Sequence, residues 1–146
     1  MQTLTFAPCQ LPVSAKLHEL MNKQLHERVV SPEVNAITIN FRDKSYNAED
    51  GGFHPVEIMI KRTQGETWKF VYFTDFYYVG GQFPELERNL DFDLSIDEFF
   101  VADMGWHSLK KKDIANAIYN MWETNFISYF DMGVFDEIEI TEIKER

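Results

Sequence analysis

The sequence has little of what usually marks a compartment. Its 146 residues include a single cysteine, Cys9, so no internal disulfide can form, which is typical of a reducing compartment. No apolar run approaches the roughly 20 residues that span a bilayer, and residues 1–12 lack the basic start and apolar core of a secretory signal. These absences argue against a disulfide-rich secreted protein and predict a cytoplasmic protein that does not insert into a membrane.

Motifs for catalysis, cofactors and metals are also missing. The sequence has no GxSxG, HExxH or CxxC, and its Gly-Gly pairs lack the context of a phosphate-binding loop. The four histidines have no spacing typical of a metal site. We therefore predict no metal and no cofactor, assign no catalytic residue, and favour a protein that is not an enzyme.

Positive charge is scarce, and the net charge is −10. Residues 64–107 hold nine acids and two bases, a local balance of −7. Such a surface repels nucleic acid backbones and anionic membranes, so we expect direct binding to neither. It suits a basic protein partner, or a protein that imitates the charge of DNA. An acidic surface that serves only solubility explains the same numbers.

The chain does contain many hydrophobic residues, which recur at helical spacing in some segments and at every second position in others. Hydrophobic residues make up 45% and aromatics 15% of the sequence, enough for one folded domain over residues 1–146. Helical and alternating segments predict an α+β domain: an antiparallel sheet of about four to five strands, covered by an N-terminal helix and a long helix in the C-terminal half. The predicted helices are Ser14–Val29 and Leu109–Phe130, and the predicted strands are Ala36–Phe41, Pro55–Lys61, Thr67–Val79, Leu90–Ile96 and Val134–Ile143.

The stretch Thr67–Gly81 is the densest aromatic segment, with seven aromatic residues from Trp68 to Tyr78. This composition predicts a central strand that is apolar on both faces. Helices of the chain should cover one face. The other face must be bare, or covered by a further helix, a ligand, a partner or a second copy of the chain.

Strand alternation predicts which residues share a face of this hairpin. Ile58 and Ile60 should lie with Trp68, Phe70 and Tyr72, because a slip of one residue would invert every side chain. This register requires a loop of three or five residues, in which residue 65, a glycine, takes a positive φ.

Regular alternation then assigns Phe73, Asp75 and Tyr77 to the second face of the sheet. In that register His54 and Asp75 lie on opposite sides, so we expect no contact between them. His54 is then a residue ordered by the turn before its strand.

A row of acids lies close to this face in the prediction. Asp91, Asp93 and Asp97 have the alternate spacing of a calcium loop, but Ile96 and Ala102 occupy the positions of its glycine and glutamate. The pattern indicates the outer edge of an amphipathic strand instead. The candidate interaction face combines these two sets of residues: Phe73, Asp75, Tyr77, Asp91, Asp93 and Asp97.

Asn125 is the most informative single polar residue of the long helix. It falls in the middle of the predicted apolar stripe, where a buried amide needs hydrogen-bond partners. The residues of this stripe are Ile114, Ala117, Ile118, Met121, Trp122, Phe126 and Tyr129. Asn125 could tie the helix to a backbone, or it could be the polar group of a pocket lined by Tyr72, Tyr78 and Trp122.

Five segments of the chain carry a family resemblance: Gly52–Glu57, Thr74–Gly80, Pro84–Leu86, Leu90–Asp93 and Trp122–Phe126. Together they resemble an uncharacterised family of small bacterial proteins, a domain-of-unknown-function family met in gamma-proteobacteria and on mobile elements. The resemblance implies a small bacterial cytoplasmic protein, but no activity and no ligand residues. The mobile-element setting favours a role in defence or in contact with a host.

Three functional hypotheses follow from the sequence. The first is a protein-interaction module without enzymatic activity, which binds a protein partner or a second copy of itself through the candidate interaction face. The second is a mimic of DNA charge that binds a nucleic-acid-handling protein. The third is an enzyme or small-molecule-binding protein with an aromatic pocket, and an enclosed pocket with convergent polar groups would support it.

Overall fold

A computed structural model describes residues 3–64, 66–80 and 82–144 of the chain. Within these residues the fold has two helices and eight strands, and the strands form one sheet. The elements, in chain order, are β1 (Thr5–Phe6), α1 (Ala15–Leu25), β2 (Ala36–Arg42), β3 (Val56–Arg62), β4 (Thr67–Val79), β5 (Glu85–Asp93), β6 (Glu98–Val101), β7 (Gly105–Ser108), α2 (Lys112–Asp131) and β8 (Glu137–Ile143).

The sheet is a meander that the last strand extends at one end. Its order is β7-β6-β5-β4-β3-β2-β8, and neighbouring strands along this path are antiparallel. The short β1 lies off the path and pairs in parallel with the start of β4. The α+β class is confirmed, but the prediction of four to five strands was wrong. The missed strands β1, β6 and β7 are two to four residues long, too short to show alternation.

The predicted fourth strand also ends earlier than expected. Its last residue is Asp93, whose side chain accepts hydrogen bonds from the backbone N–H and the hydroxyl of Ser95. This local turn competes with the sheet ladder and turns the chain. Ile96 is consequently 53% exposed in the turn before β6.

Both helices pack on the same face of the sheet. On α1, Leu17 and Met21 are fully buried, and the ring of His18 stacks on Phe70 of β4 at a centroid distance of 5.7 Å. On α2, the ring of Trp122 lies 5.6 Å from Phe73, also on β4. The apolar residues of one sheet face thus form the core with the two helices.

The buried side of α2 differs from the predicted stripe. Trp122 and Phe126 face the core as predicted, together with Ala115 and Tyr119, which the predicted stripe did not include. Residues counted in the predicted stripe are exposed instead, Ile114 at 54% and Met121 at 60%. The helix turns the rings of Tyr119, Trp122 and Phe126 towards the sheet and leaves aliphatic residues exposed, because large rings bury the most area.

One extra residue in β4 controls which of its side chains reach the core. Met59 pairs with Tyr72 and Ile60 with Phe70, which leaves Val71 without a partner on β3. Because of this β-bulge, the residues of β4 that follow Val71 point to the opposite faces of the sheet from those that regular alternation predicts. Trp68 and Phe70 are buried in the core as predicted, whereas the prediction for Tyr72 was wrong.

The loop of this hairpin agrees with the predicted length. The backbone N–H of Thr63 donates to the carbonyl of Thr67 at 2.9 Å, so three residues separate the two. The expected positive φ at residue 65 lies outside the described residues.

Candidate functional site

The face of the sheet opposite the helices carries two rows of side chains that run across five strands. In each row, neighbouring strands place their side chains about 5 Å apart. We call these ten residues the acidic–aromatic patch. The first row is Glu57, Thr74, Asp91, Phe100 and Trp106, and the second row is Met59, Tyr72, Asp93, Glu98 and Ser108.

Four carboxylates and no basic residue lie within this patch. The Tyr72 hydroxyl, between them, donates a hydrogen bond to the Glu57 carboxylate. Partial burial raises the pKa of Tyr72, and the hydrogen bond and negative charge of Glu57 raise it further. The phenol therefore stays protonated at neutral pH and remains a donor to the carboxylate.

Asp91 is the buried centre of the patch, with 4% of its surface exposed. It accepts a hydrogen bond from the Thr74 hydroxyl at 3.0 Å and pairs with Arg88 Nε at 3.2 Å. Desolvation by burial raises the pKa of Asp91, although Thr74 and Arg88 act in the opposite direction. The arginine also lies over Trp106, with its guanidinium carbon 5.6 Å from the ring centroid.

The predicted interaction face is therefore only partly right in its geometry. Asp91 and Asp93 do lie on the helix-free face. Phe73 and Asp75 do not, because the bulge at Val71 turns them to the side of Ile58 and Val56, where Phe73 is buried under α2.

Tyr77 and Asp97 likewise lie apart from the patch. The Tyr77 ring is 6.1 Å from that of His54, on the helix side of the sheet. Asp97 lies in the turn between β5 and β6 with φ 57°, and its carboxylate accepts from Gln10 Nε2 at 3.3 Å. Any role of these residues in an interaction stays a prediction.

A second feature is a cavity of about 320 Å³ at one end of α2, on the helix side of the sheet. It lies between α2, the segment before β3 and the middle of β4 and β5. The described residues with imidazole, carboxylate or carboxamide side chains that line it are His54, Asp75, Asn89 and Asn125. Its remaining lining residues are Gly52, Phe53, Val56, Leu90, Met121, Trp122, Phe126, Tyr129 and Phe135.

His54 and Asp75 are in direct contact, which corrects the expectation that they lie on opposite sides of the sheet. His54 Nδ1 lies 2.8 Å from Asp75 Oδ1, and Asn89 Nδ2 donates to the same oxygen at 3.2 Å. The reason is again the bulge, since Val56 pairs with Asp75 only after the extra residue at Val71.

Asn125 does line the cavity, but its side chain is not buried as predicted. The residue is exposed at the cavity rim, because the buried stripe of α2 is centred on Tyr119 and Trp122. Of the other residues predicted to line the pocket, Trp122 does so. Tyr72 lies on the opposite face, and Tyr78 stacks on Tyr46 with a centroid distance of 5.0 Å.

Sequence reasoning also missed Glu123, a buried carboxylate on α2 with 6% exposure. It accepts a hydrogen bond from the Tyr119 hydroxyl at 2.6 Å and another from the Ser14 backbone N–H at 3.1 Å. Ser14 caps α1, so Glu123 joins the two helices at the positive end of the α1 dipole. Its position four residues after Tyr119, inside the aromatic stripe, was the available signal.

The fold and its sites define a class: an α+β protein in which two helices cover one face of an antiparallel sheet, and in which the other face is charged and aromatic. Among the described residues, no helix is both long and apolar enough to cross a membrane.

The chain belongs to the family described as protein of unknown function DUF2787, whose model matches residues 15–141. This confirms the predicted resemblance. No curated protein matches the chain.

Two solved structures are similar to the chain over nearly its whole length, and both come from pathogenicity islands of Vibrio cholerae. The hypothetical protein VC0508 from island VSP-II is 47% identical, with a TM-score of 0.85, over 94% of this chain and 99% of that one. The conserved hypothetical protein VC1805 from island VPI-2 is 44% identical, with a TM-score of 0.83, over 93% of this chain and 99% of that one. VC1805 is described as sharing structural homology with the human P32 protein.

Proposed function

We propose that this chain is a protein-interaction module that binds an arginine- or lysine-bearing segment of a partner protein through the acidic–aromatic patch. The observation that carries the proposal is the position of Arg88. Its guanidinium lies over Trp106 while Nε pairs with Asp91, so the patch already holds one arginine by charge and by ring contact.

The charge of the patch selects the partner. Four carboxylates lie in the two adjacent rows of the patch; Arg88 lies beside them, and Lys61 and Lys69 lie on the same face beyond the second row. A cationic segment would neutralise this local excess, whereas an anionic one would be repelled. Trp106, 38% exposed, and the partly exposed Phe100 supply aromatic surface of the kind found at binding sites.

The same charges argue against a second copy bound face to face, because two patches of like sign would repel each other. Mimicry of DNA charge uses the same patch but requires a nucleic-acid-handling partner. Duplex DNA would displace the chain from such a partner, but would leave other complexes intact.

The test uses an extended 12-residue peptide with arginine at alternate positions, and a matched peptide in which citrulline replaces each arginine. We expect the arginine peptide to shift backbone amide NMR signals of the patch, with binding that weakens as salt rises. The neutral citrulline peptide should bind at least tenfold more weakly.

Two double variants with the same charge change locate the site. We expect E57Q/E98Q, within the patch, to weaken binding of the arginine peptide roughly three- to tenfold, since an exposed ion pair contributes about 0.2–1 kcal/mol. The variant E19Q/E27Q, at exposed residues on α1 and in the turn after it, should bind as the wild type does. Equal losses in both variants, or equal affinity for both peptides, would refute the proposal.

A further inference from the structure

The cavity beside α2 has the character of a ligand site that is separate from the acidic–aromatic patch, since the sheet lies between them. Its volume of about 320 Å³ lies at the lower end of the range for small-molecule pockets, roughly 300–1,000 Å³. Its walls are largely aromatic, with a few polar groups on one side. The aromatic lining residues are Phe53, Trp122, Phe126, Tyr129 and Phe135.

From this geometry we propose that the cavity binds a small, uncharged, planar aromatic molecule that carries an N–H or O–H donor. His54 accepts the hydrogen bond from that donor, and the aromatic walls contact the ring. The proposal does not depend on the proposed function, because no residue of the patch lines the cavity.

The hydrogen bonds of Asp75 determine what His54 offers to a ligand. Asp75 Oδ1 accepts from Asn89 and lies 2.8 Å from His54 Nδ1, so Nδ1 must carry the hydrogen of this contact. In a neutral imidazole the other nitrogen, Nε2, then has a free lone pair. The ligand group that meets His54 must therefore be a donor.

His54 is held in this orientation before any ligand binds. Its ring packs edge-on against Tyr46 at a centroid distance of 5.6 Å, and Tyr46 stacks on Tyr78. The Tyr46 hydroxyl accepts a hydrogen bond from the Tyr78 backbone N–H at 3.1 Å. A side chain fixed by its surroundings loses little entropy on binding, which is a property of built sites.

Charge excludes an anionic ligand. Among the described residues no lysine or arginine lines the cavity, and Asp75 contributes a carboxylate of which 13% is exposed. At the rim, the exposed carboxamide of Asn125 offers both a donor and an acceptor to a ligand edge. A neutral ring with one donor satisfies His54 without burying a second charge.

The test compares indole with 1-methylindole, two probes of nearly the same shape that differ in the N–H donor. We expect indole to shift the NMR signals of the Trp122 ring N–H and the Asn125 side-chain amide, together with the nitrogen signals of the His54 ring. It should bind the wild type about three- to tenfold more tightly than 1-methylindole does, the effect of one hydrogen bond.

The variant H54F keeps a ring but removes the acceptor, and we expect it to bind the two probes equally. N125L should retain the preference for indole, because the donor contact is made by His54. Equal binding of both probes by the wild type overturns the proposal, as do shifts confined to residues outside the cavity or an absence of shifts. The comparison in the wild type decides the outcome even if a variant fails to fold.

Discussion

Among the described residues, the buried polar residues Thr74, Asp91 and Glu123 all have hydrogen-bond partners, whereas the buried atoms Arg28 Nε and Asn116 Oδ1 have none. Thr74 donates to Asp91 on the uncovered face, and Glu123 accepts from Tyr119 and from the Ser14 backbone between the helices. A buried carboxylate is tolerated only with such donors. The two carboxylates nevertheless affect stability differently. Burial penalises the charged form of Asp91 even though Thr74 and Arg88 favour it, whereas Glu123 links α2 to the start of α1.

The substitution D91N tests how much stability the folded chain loses by burying the ionised carboxylate of Asp91. A carboxyl whose pKa is higher in the folded chain than in the unfolded chain binds its proton more tightly when folded. Ionised Asp91 therefore costs the folded state stability as the pH rises from about 4, the unfolded value, through the raised pKa. We expect the unfolding free energy of D91N, relative to the wild type, to increase between pH 4 and pH 7.

Urea unfolding at pH 4, 5.5 and 7, followed by tryptophan fluorescence, measures this difference. E19Q, a neutralising change at an exposed residue of α1, is the control. A difference between D91N and wild type that does not change with pH would contradict the prediction.

The substitution Y119F tests the link between the helices. It removes the hydroxyl that donates to Glu123 and leaves that buried carboxylate with the Ser14 N–H. We expect a loss of about 1.5–3 kcal/mol in the unfolding free energy, the usual contribution of a hydrogen bond to a charged group. Y129F on the same helix serves as the matched control, and an equal effect of both changes would count against the assignment.

At the scale of elements, the bulge in β4 decides how the rest of the strand is used. Before Val71 the predicted alternation holds, and Trp68 and Phe70 lie in the core. After Val71 it is reversed, so Phe73 packs under α2 and Asp75 meets His54. By reversing the alternation, this one extra residue places Phe73 in the core and Asp75 on the polar side of the cavity.

Two single-residue deletions in β4 test this role. Deleting Val71 removes the residue without a partner on β3, together with the hydrogen bond from the Leu94 N–H to its carbonyl, and keeps every pair of β3 with β4. We therefore expect a folded protein that is destabilised by no more than about 3 kcal/mol. Deleting Lys69, which pairs with Lys61, must turn Trp68 or Phe70 out of the core.

That loss is on the order of 3–5 kcal/mol, comparable with the total stability of many domains. Circular dichroism and dispersion of amide NMR signals distinguish the two outcomes. Similar stability for the two deletions would show that the bulge does not set the register.

At the scale of the whole molecule, charge is the dominant property. The net charge of −10 opposes compaction through self-repulsion, and salt screens that repulsion. We expect the midpoint of thermal unfolding to rise as sodium chloride increases from 10 to 150 mM. The variant E137Q/E139Q, at exposed residues of β8, removes two negative charges and should show a smaller rise. An unchanged midpoint in the wild type would contradict this expectation.

The protein-interaction function and the cavity ligand are also distinguishable at this scale, because the sheet separates their sites. A cationic peptide should shift signals of the patch, and a neutral ring should shift those of the cavity. Charge variants such as E57Q/E98Q should change the first and leave the second.

The sequence by itself determined the α+β class, the two helices, the longer strands and the buried start of β4. These properties depend on local periodicity and composition, which a sequence displays directly. It also predicted the acidic outer side of Asp91 and Asp93, since both lie in the part of β5, from Leu90 to Asp93, that alternates regularly.

Only the tertiary structure decided which residues form the candidate sites. The bulge at Val71 has no glycine or other local signal, so the contact of His54 with Asp75 appears only when β3 and β4 are paired. The exposure of Asn125 depends in the same way on how α2 turns its rings towards the sheet. Local pattern fixes the elements, but the register and rotation between elements depend on the packing of the whole core.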